Sequence, residues 1–534
     1  MASSLTTLFT HDNWSRDEIT GGTYDELFET TFNTAPVEIS GFSIMNRGLK
    51  ITETGIELYP DRFRVIAGFF APGRQEVRPG NTRAARLCLR ICQLDEQTVV
   101  AAIREIEARY SDQYPNLHDI FIEHAVEATS HIDLGMEPSM DRRLLLGALF
   151  TREYSIQASS VCNPSAVLHP VQDGSGDAAF ILSIRCIGGE HFSTIGFRTG
   201  RISPNGGVTI DEVGSFPRIG RGAPGLHYRS VFETKLAEFG HHREDVAFVL
   251  GSLPAQFYDA EFNAHLGTLA DIQRTQPQVL ILVSRLREIA QSSYGVDFPG
   301  ESSISERVLW PRVAAESHGI EDARFVRFMD ESGDITYYAT YTAFGGTSIS
   351  QQLIETKDFA TFNMSPLAGS AAYGKGLALF PRKINGQYVA LSRSDQETNA
   401  ITFSDDLHCW KKYQHVQAPI EPWEILQLGN CGSPIETKEG WLVITHGVGA
   451  MRAYSLGAIL LDLDHPQRVL ARLKEPLISP REDRRDVYIP NVVYSCGAFA
   501  HNDTLVLPYG SADETISIAT VSIDQLLHVM RTNP

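Results

Sequence analysis

The sequence predicts a mainly β protein, a β-propeller carrying an N-terminal α/β accessory region and a helical insertion. Two repeated features carry the propeller prediction. A turn followed by an apolar strand recurs as SGDITYYATYTAF, NGQYVALSRSD and EGWLVITHGVG, with Gly333, Gly386 and Gly440 lying 53 and 54 residues apart. NDTLVLPYGSAD repeats the strand without the glycine. A second element, TKDFATF (356–362) and SDDLHCW (404–410), places a hydroxyl residue, an acid, an apolar residue and a terminal aromatic at matching positions. A period of about fifty residues with several short strands per unit is what a propeller blade imposes. A β-sandwich with coincidental turns is the competing arrangement.

The elements follow in order along the chain. Residues 1–50 are polar and read as a loosely organised extension, and 51–75 read as strands. From Asp95 the period changes: DEQTVVAAIREIEARY sets Val99, Ile103, Ile106 and Tyr110 on one helical face, and LHDIFIEHAVEAT continues the pattern towards Leu146. These segments make 1–150 an accessory region that is partly helical. From EYSIQASSVCNPSAVLHP onward, short apolar runs alternate with turns as strands do. A helical insertion at about 221–300 interrupts them, with Pro277 marking a break. Residues 151–534 are thus expected to form a β domain around that insertion. At 534 residues the chain exceeds what one hydrophobic core usually serves.

Charge and cysteine usage exclude several partners. A net charge of −19 is wrong for a nucleic-acid or anionic-membrane surface, which clustered Lys and Arg would serve. MASSLTTLFTHDNWSRDE lacks a basic start followed by an apolar core, and no apolar run is long enough to cross a bilayer, so the expectation is a soluble, cytoplasmic protein. Seven scattered cysteines make no disulfide framework; Cys88 and Cys92 have helical spacing but no second pair, and read as buried thiols rather than zinc ligands.

The propeller reading makes a chemical prediction. If the repeated strand lies next to a central channel, the residues ending it reach the channel mouth: Tyr341 and Thr342, Ser392 and Arg393, Thr445 and His446, and Tyr509 with Asp513. Arg393 and His446 suit an anion, with Arg452 and Lys375 as further cations. Glu321 and Asp322 sit at the entrance of the strand RFVRFM. Adjacent carboxylates on an extended chain point to opposite faces, so only one can enter a channel. General acid work on a sugar would need that carboxyl; the alternative is a strand end paired with Arg324 or Arg327. GRGAPG (220–225) fits G-x-G-x-x-G, but no apolar strand feeds it and Pro224 interrupts it. His241 and His242 have no ligand partner at a recognisable spacing.

Several motifs in one order, GIEDARFV, GKGLALFPRKINGQYVALSR, FSDDLHCW, GNCGSPIETKEGWLVITHGVG, GAILLDLDHPQRVLARLKEPLISP and IPNVVYSCGAF, resemble glycoside hydrolase family 130, the β-mannoside phosphorylases and β-mannosidases. The resemblance runs from about CNPSAVLHP to the C-terminus outside the insertion. It implies a five-bladed propeller with the active site at one mouth of its channel. Asp322 matches the catalytic aspartate of the G-x-E-D-P-R motif, with Ala323 in place of the proline. It implies an inverting reaction in which Asp322 is the general acid, acting through the 3-hydroxyl of the mannosyl unit. Arg393 and His446 match phosphate-binding positions, and Asn163, Arg185 and Asp513 lie where sugar is contacted, with Tyr341 as a further substrate-binding candidate.

One departure stands out: the segment GGTSISQQLIETKDF lacks the arginine that phosphorylases of the family usually supply there, and Gly376 follows Lys375 where many members have aspartate. Arg452 or Lys375 would then complete a phosphate pocket. An incomplete pocket would favour water, with Glu424 or Glu436 as base, giving a β-mannosidase. A non-catalytic carbohydrate-binding propeller leaves Asp322, Arg393 and His446 unexplained. The expected partners are a β-linked manno-oligosaccharide or mannosyl disaccharide and inorganic phosphate as co-substrate, with no metal or other cofactor, no nucleic acid and no membrane. The helical additions leave two roles open, covering the acceptor site or forming a homo-oligomer interface.

Overall fold

Short apolar runs closed by tight turns pair with their sequence neighbours, and here they build successive antiparallel groups. The computed structural model describes residues 43–46, 48–70, 82–130, 132, 134–174, 176–269, 277–481 and 489–532, all within one compact unit, Gly41–Pro534. Of the extension expected at 1–50, residues 1–42 lie outside the described residues, as does the strand end expected at 71–75, whereas Ser43–Asn46 is a strand paired antiparallel with Leu49–Leu58.

The first group runs Ser160–Leu168, Ala178–Ile187, Ser193–Ile202 and Val208–Ile210. The second runs Gly319–Met329, Ile335–Phe344, Ile349–Thr356 and Thr361–Pro366, and a parallel step at Gly319–Ser193 joins it to the first. The third is Ala378–Leu379, Tyr388–Ser392, Asn399–Ser404 and Tyr413–Gln417. In the fourth, Gln427–Asn430 and Ile435–Thr437 both pair with Gly440–Val448, which leads to Tyr454–Leu461 and Val469–Arg472. In the fifth, Val493–Tyr494 and Phe499–His501 pair with Thr504–Ser511, followed by Thr515–Ser522.

The repeated glycine strands at 335–344, 388–392, 440–448 and 504–511 are the second strand of their groups, behind a first strand that carries Asp322 in the second group. The repeated strand is therefore not the first of its group. Asp322 belongs to the strand that precedes the repeat.

Hydrophobic cores separate consecutive groups. Phe197, Phe325 and Phe362 pack between the first and second; Phe328, Leu377 and Trp410 between the second and third; Val389, Trp441 and Ile459 between the third and fourth; Leu442, Leu456 and Leu507 between the fourth and fifth. The fifth core, with Leu182, Phe499 and Ile518, lies between the last group and the first. The backbone seals the same junction: Val161 donates to Glu514 O, Ala166 to Gly497 O, and Cys496 to Pro164 O.

The expected boundary at residue 150 changes in one respect. Leu49–Leu58 pairs antiparallel with Thr515–Ser522, so a strand from the start of the chain finishes the fifth sheet. Only then come the helices Arg83–Cys92, Glu96–Tyr110, Leu117–Thr129 and Met140–Leu149. They bury Val99, Ile103, Phe121 and Leu145 in a core of their own. Asp95 caps the second of them by accepting from Thr98 N at 2.9 Å. Gly147 lets the last approach the third, because a Cβ there would collide with Phe121 O.

In the insertion, helices Arg229–Glu238, Arg243–Leu250, Asp259–Thr268 and Pro277–Ala290 share a core that takes in Ala368 and Cys409. Pro277 starts the last helix, where its missing N–H costs nothing. No helix among the described residues is long and apolar enough to cross a membrane.

Ile51, 3% exposed, projects from the early strand into the core between the fourth and fifth groups. Ile51→Ala should therefore cost about 2–5 kcal/mol in urea unfolding with an unchanged m-value. A loss under about 0.5 kcal/mol, the size expected of a surface change, would show that the early strand does not complete the sheet.

Candidate active site

Asp322 opens the site through its backbone. Its φ of 58° is left-handed, and the ladder between Gly319–Met329 and Ile335–Phe344 shifts register between Glu321 and Arg324. The alternation assumed from sequence therefore fails at this point, and both acids reach one arginine. Arg185 Nη2 donates to Glu321 Oε1 at 2.6 Å, and Arg185 Nη1 lies 3.7 Å from Asp322 Oδ1. In place of the alternative pairing with Arg324 or Arg327, the acids meet Arg185 and Lys375, whose Nζ donates to Glu321 Oε2 at 3.0 Å.

Two more left-handed residues meet there. Asn163 (φ 48°) sits in a bulge of the first strand and donates through Nδ2 to Asp322 Oδ1. Asp513 (φ 52°) lies in the turn after Thr504–Ser511, where its carbonyl accepts from Ser160 Oγ. Non-glycine residues at positive φ are uncommon, Asn and Asp less so, and they persist where surrounding packing fixes them.

The electrostatics separate the two aspartates. Burial pushes the Asp322 carboxyl up, but Arg185, Lys375 and Arg324, together with the Asn163 amide, outweigh it and hold the group below the usual carboxylate range. Burial lifts Asp513 instead; Arg185 opposes that, the charge of Asp322 adds to it, and the net direction is upward.

Arg324, two residues on, ties this cluster to the next. Its Nη1 donates to Asn430 O and Cys431 O, both at 2.8 Å, and its Nη2 to Tyr494 Oη at 2.9 Å. Tyr494 packs on His446 with ring centroids 4.7 Å apart. Asn430 Nδ2 reaches Gly376 O at 2.9 Å. A Cβ on Gly376 would lie 3.1 Å from Arg393 Cδ and 3.6 Å from Arg324 Nη2, which places Arg393 in the same neighbourhood.

Arg393 and His446 flank Gly429. A Cβ at that glycine would collide with Cδ and Nε of Arg393 and come within 2.7 Å of His446 Cε1. Both side chains are buried, and Arg393 Nε and His446 Nε2 have no hydrogen-bond partner among the described residues. An unpaired buried polar atom costs about 1–3 kcal/mol. A ligand accepting from both would recover that. Burial first, then the charges of Arg393 and Arg324, push His446 well below its ordinary value, so the ring is neutral.

The other sequence candidates divide clearly. Lys375 joins the cluster through Glu321. Arg452 is exposed, with Nη2 on Tyr454 Oη at 3.0 Å, and the Tyr454 ring stacks on His446 with centroids 6.5 Å apart. Tyr341 is not a site residue: it faces the core, and its hydroxyl donates to Glu316 at 2.6 Å, because Thr342 and not Tyr341 lies opposite Glu321. Ser392 and Tyr509 are likewise committed, to Ala371 O and Glu53. Glu424 is buried and accepts from Arg472 at 2.6 Å, and Glu436 is paired with Arg382 at 2.7 Å, so both bases of the hydrolytic alternative are held in ion pairs. Sequence reasoning missed Arg324, Tyr494 and Gly429 as site parts. GNCG carried the one local hint, a glycine where close side-chain approach is needed.

Folding removes a proton that His446 would bind in the unfolded chain below about pH 6.5, so this residue makes stability fall as pH drops through that value. His446→Gln abolishes that term. In urea melts, the stability difference between wild type and variant should shrink on acidification from pH 6.5 by up to about 1.4 kcal/mol per pH unit. A difference independent of pH would mean that the ring titrates normally.

A family model described as beta-1,4-mannooligosaccharide phosphorylase, Glyco_hydro_130, matches residues 244–532, more than half of the chain. The match includes Asp322, Lys375, Arg393, His446 and Asp513, whereas Asn163 and Arg185 come from the unmatched part. The chain is similar to a 1,2-beta-oligomannan phosphorylase of Thermoanaerobacter sp. (strain X514), 36% identical over 255 residues, 46% of this chain and 80% of that one. It is also similar to a beta-1,2-mannobiose phosphorylase of Listeria innocua, 34% identical over 45% of this chain and 67% of that one. A solved structure of beta-1,2-mannobiose phosphorylase from Listeria innocua with beta-1,2-mannobiose aligns at TM-score 0.42 and 23% identity, covering 70% of this chain and 93% of that one. The chain belongs to glycoside hydrolase family 130.

Proposed function

We propose that this protein is an inverting β-mannoside phosphorylase, which transfers a mannosyl unit to inorganic phosphate and releases α-mannose 1-phosphate. The observation that carries the reading is the pair of unpartnered buried nitrogens, Arg393 Nε and His446 Nε2, flanking Gly429 in the neighbourhood of Asp322. Guanidinium and neutral imidazole N–H donors suit phosphate. The names of the relatives, phosphorylases of β-1,2- and β-1,4-linked mannosides, supply the substrate class.

In this mechanism phosphate oxygen attacks the anomeric carbon as the bond to the leaving oxygen breaks on the opposite face, which inverts the centre. Asp322 supplies the proton, relayed through the 3-hydroxyl of the mannosyl unit. Arg185, Asn163 and Asp513 orient the sugar, and Arg393 and His446 hold the phosphate with Lys375 nearby. The resting carboxyl of Asp322 is held low by surrounding cations. A phosphate dianion offsets those cations and returns Asp322 towards the protonated form that donation requires. The reaction calls for no cofactor beyond phosphate. The commitment of Glu424 and Glu436 to Arg472 and Arg382 leaves the hydrolytic reading without the base expected for it.

The same proposal extends to the fold, which we read as a five-bladed propeller. Five antiparallel groups separated by five cores support it, the fifth core lying between the last group and the first.

With β-1,2- and β-1,4-mannobiose, mannose 1-phosphate should form only when phosphate is present. Asp322→Asn should lower kcat by about 10²–10⁴-fold while calorimetric sugar binding persists. Equal release of free mannose with and without phosphate would overturn the reading. Gly429→Ala, which displaces Arg393, should raise KM for phosphate about tenfold or more, equivalent to about 1.4 kcal/mol, with KM for the mannoside unchanged. An unchanged phosphate KM would remove Arg393 from the anion site.

A further inference from the structure

A cleft of about 840 Å³ lies where the turn 113–116 and the helix Leu117–Thr129 face the sheets, lined from both sides. That volume is in the range of ligand sites, ~300–1,000 Å³. Its position relative to Asp322 follows from the chain. Ser317 lines the cleft, and the five residues from Ser317 to Asp322 span at most ~17 Å even when fully extended. Glu190 lines it too and follows Arg185 by five residues, so the same bound applies from the sugar-facing arginine. One lining carboxylate is fixed: Tyr294 and Tyr341 both donate to the buried Glu316, which also accepts from Arg312 N at 2.9 Å.

The lining indicates what the cleft takes. Four arginines and five carboxylates contribute, so neither an anion nor a cation is favoured. Aromatic surface lies among them. Phe70 is 40% exposed beneath the Arg152 guanidinium at 4.9 Å, and Trp310 packs at 4.9 Å against Phe192. Arg218 Nε and Arg312 Nε are buried without a partner among the described residues. Apolar ring faces beside fixed donors and acceptors of both kinds match a neutral ligand with apolar C–H faces and a rim of hydroxyls.

We infer that this cleft binds the distal units of a linear β-linked manno-oligosaccharide whose terminal unit occupies the Asp322 site, so that the helical region confers a preference for chains of four or more sugars. The identity of the sugar rests on the β-mannoside reading of the Asp322 site. The cleft itself does not.

The test titrates full-length protein, without phosphate, with β-1,2- and β-1,4-linked mannobiose and mannotetraose, for wild type, Phe70→Ala and Glu123→Ala. Both substituted residues are exposed, and neither touches the Asp322 cluster. In the wild type, mannotetraose of one linkage should bind about tenfold tighter than mannobiose, and each variant should lose most of that difference while keeping mannobiose affinity. Equal affinity for the two lengths in both linkages, or a difference that survives both substitutions, overturns the inference. Phosphorolysis of mannobiose, measured in parallel, should be the same in wild type and both variants. If the wild type forms no mannose 1-phosphate from any chain but the length-dependent binding is still lost in the variants, the phosphorylase reading falls and the cleft stands.

Discussion

A buried guanidinium, Arg324, holds three sheets in register and thereby sets the site. It leaves the second sheet two residues after Asp322 and donates to backbone carbonyls of the fourth sheet and a tyrosine hydroxyl beside the fifth. An arginine can satisfy several acceptors at fixed angles because its fork is planar, and it stays charged even where burial is severe. Burying that charge is tolerable only because each donor used finds an acceptor. Asn430, one of those acceptors, lies one residue from Gly429, opposite the His446 strand, and its side chain reaches Gly376. One side chain thus couples the positions of Asp322, His446 and, through Gly376, Arg393.

Around that anchor the charges are arranged by unusual backbone as much as by side chains. The left-handed turns at Asn163, Asp322 and Asp513 aim three polar groups towards Arg185 that regular strands would have distributed over two faces. The result is a cation-rich cluster in which one aspartate is held low and another raised. Such divergence between neighbouring carboxyls is how a single site provides groups with different protonation states at one pH.

The strand Leu49–Leu58 completes the last sheet, and the helices that follow return the chain to the first, so they stand beside loops leading to Arg185 and Asp322. Their own core makes them a rigid wall.

Much of this was legible from residue order. Strand repeats follow from the alternation of side chains and helical segments from the spacing of Val99, Ile103 and Ile106, because both are local consequences of backbone period. The motif around Asp322, together with Arg393 and His446, carries the family resemblance in residue order alone. The partners of Tyr341, Glu424 and Glu436, which are Glu316, Arg472 and Arg382, are set by strand register and sheet packing, and no local pattern encodes them. The alternation rule failed at Asp322 because a bulge there depends on what packs against it. The sequence by itself determined the strand and helix pattern and the chemistry available at Asp322, Arg393 and His446. Tertiary structure alone decided which charges meet, since Arg185 and Glu321 are 136 residues apart and only the joining of two sheets brings them to 2.6 Å.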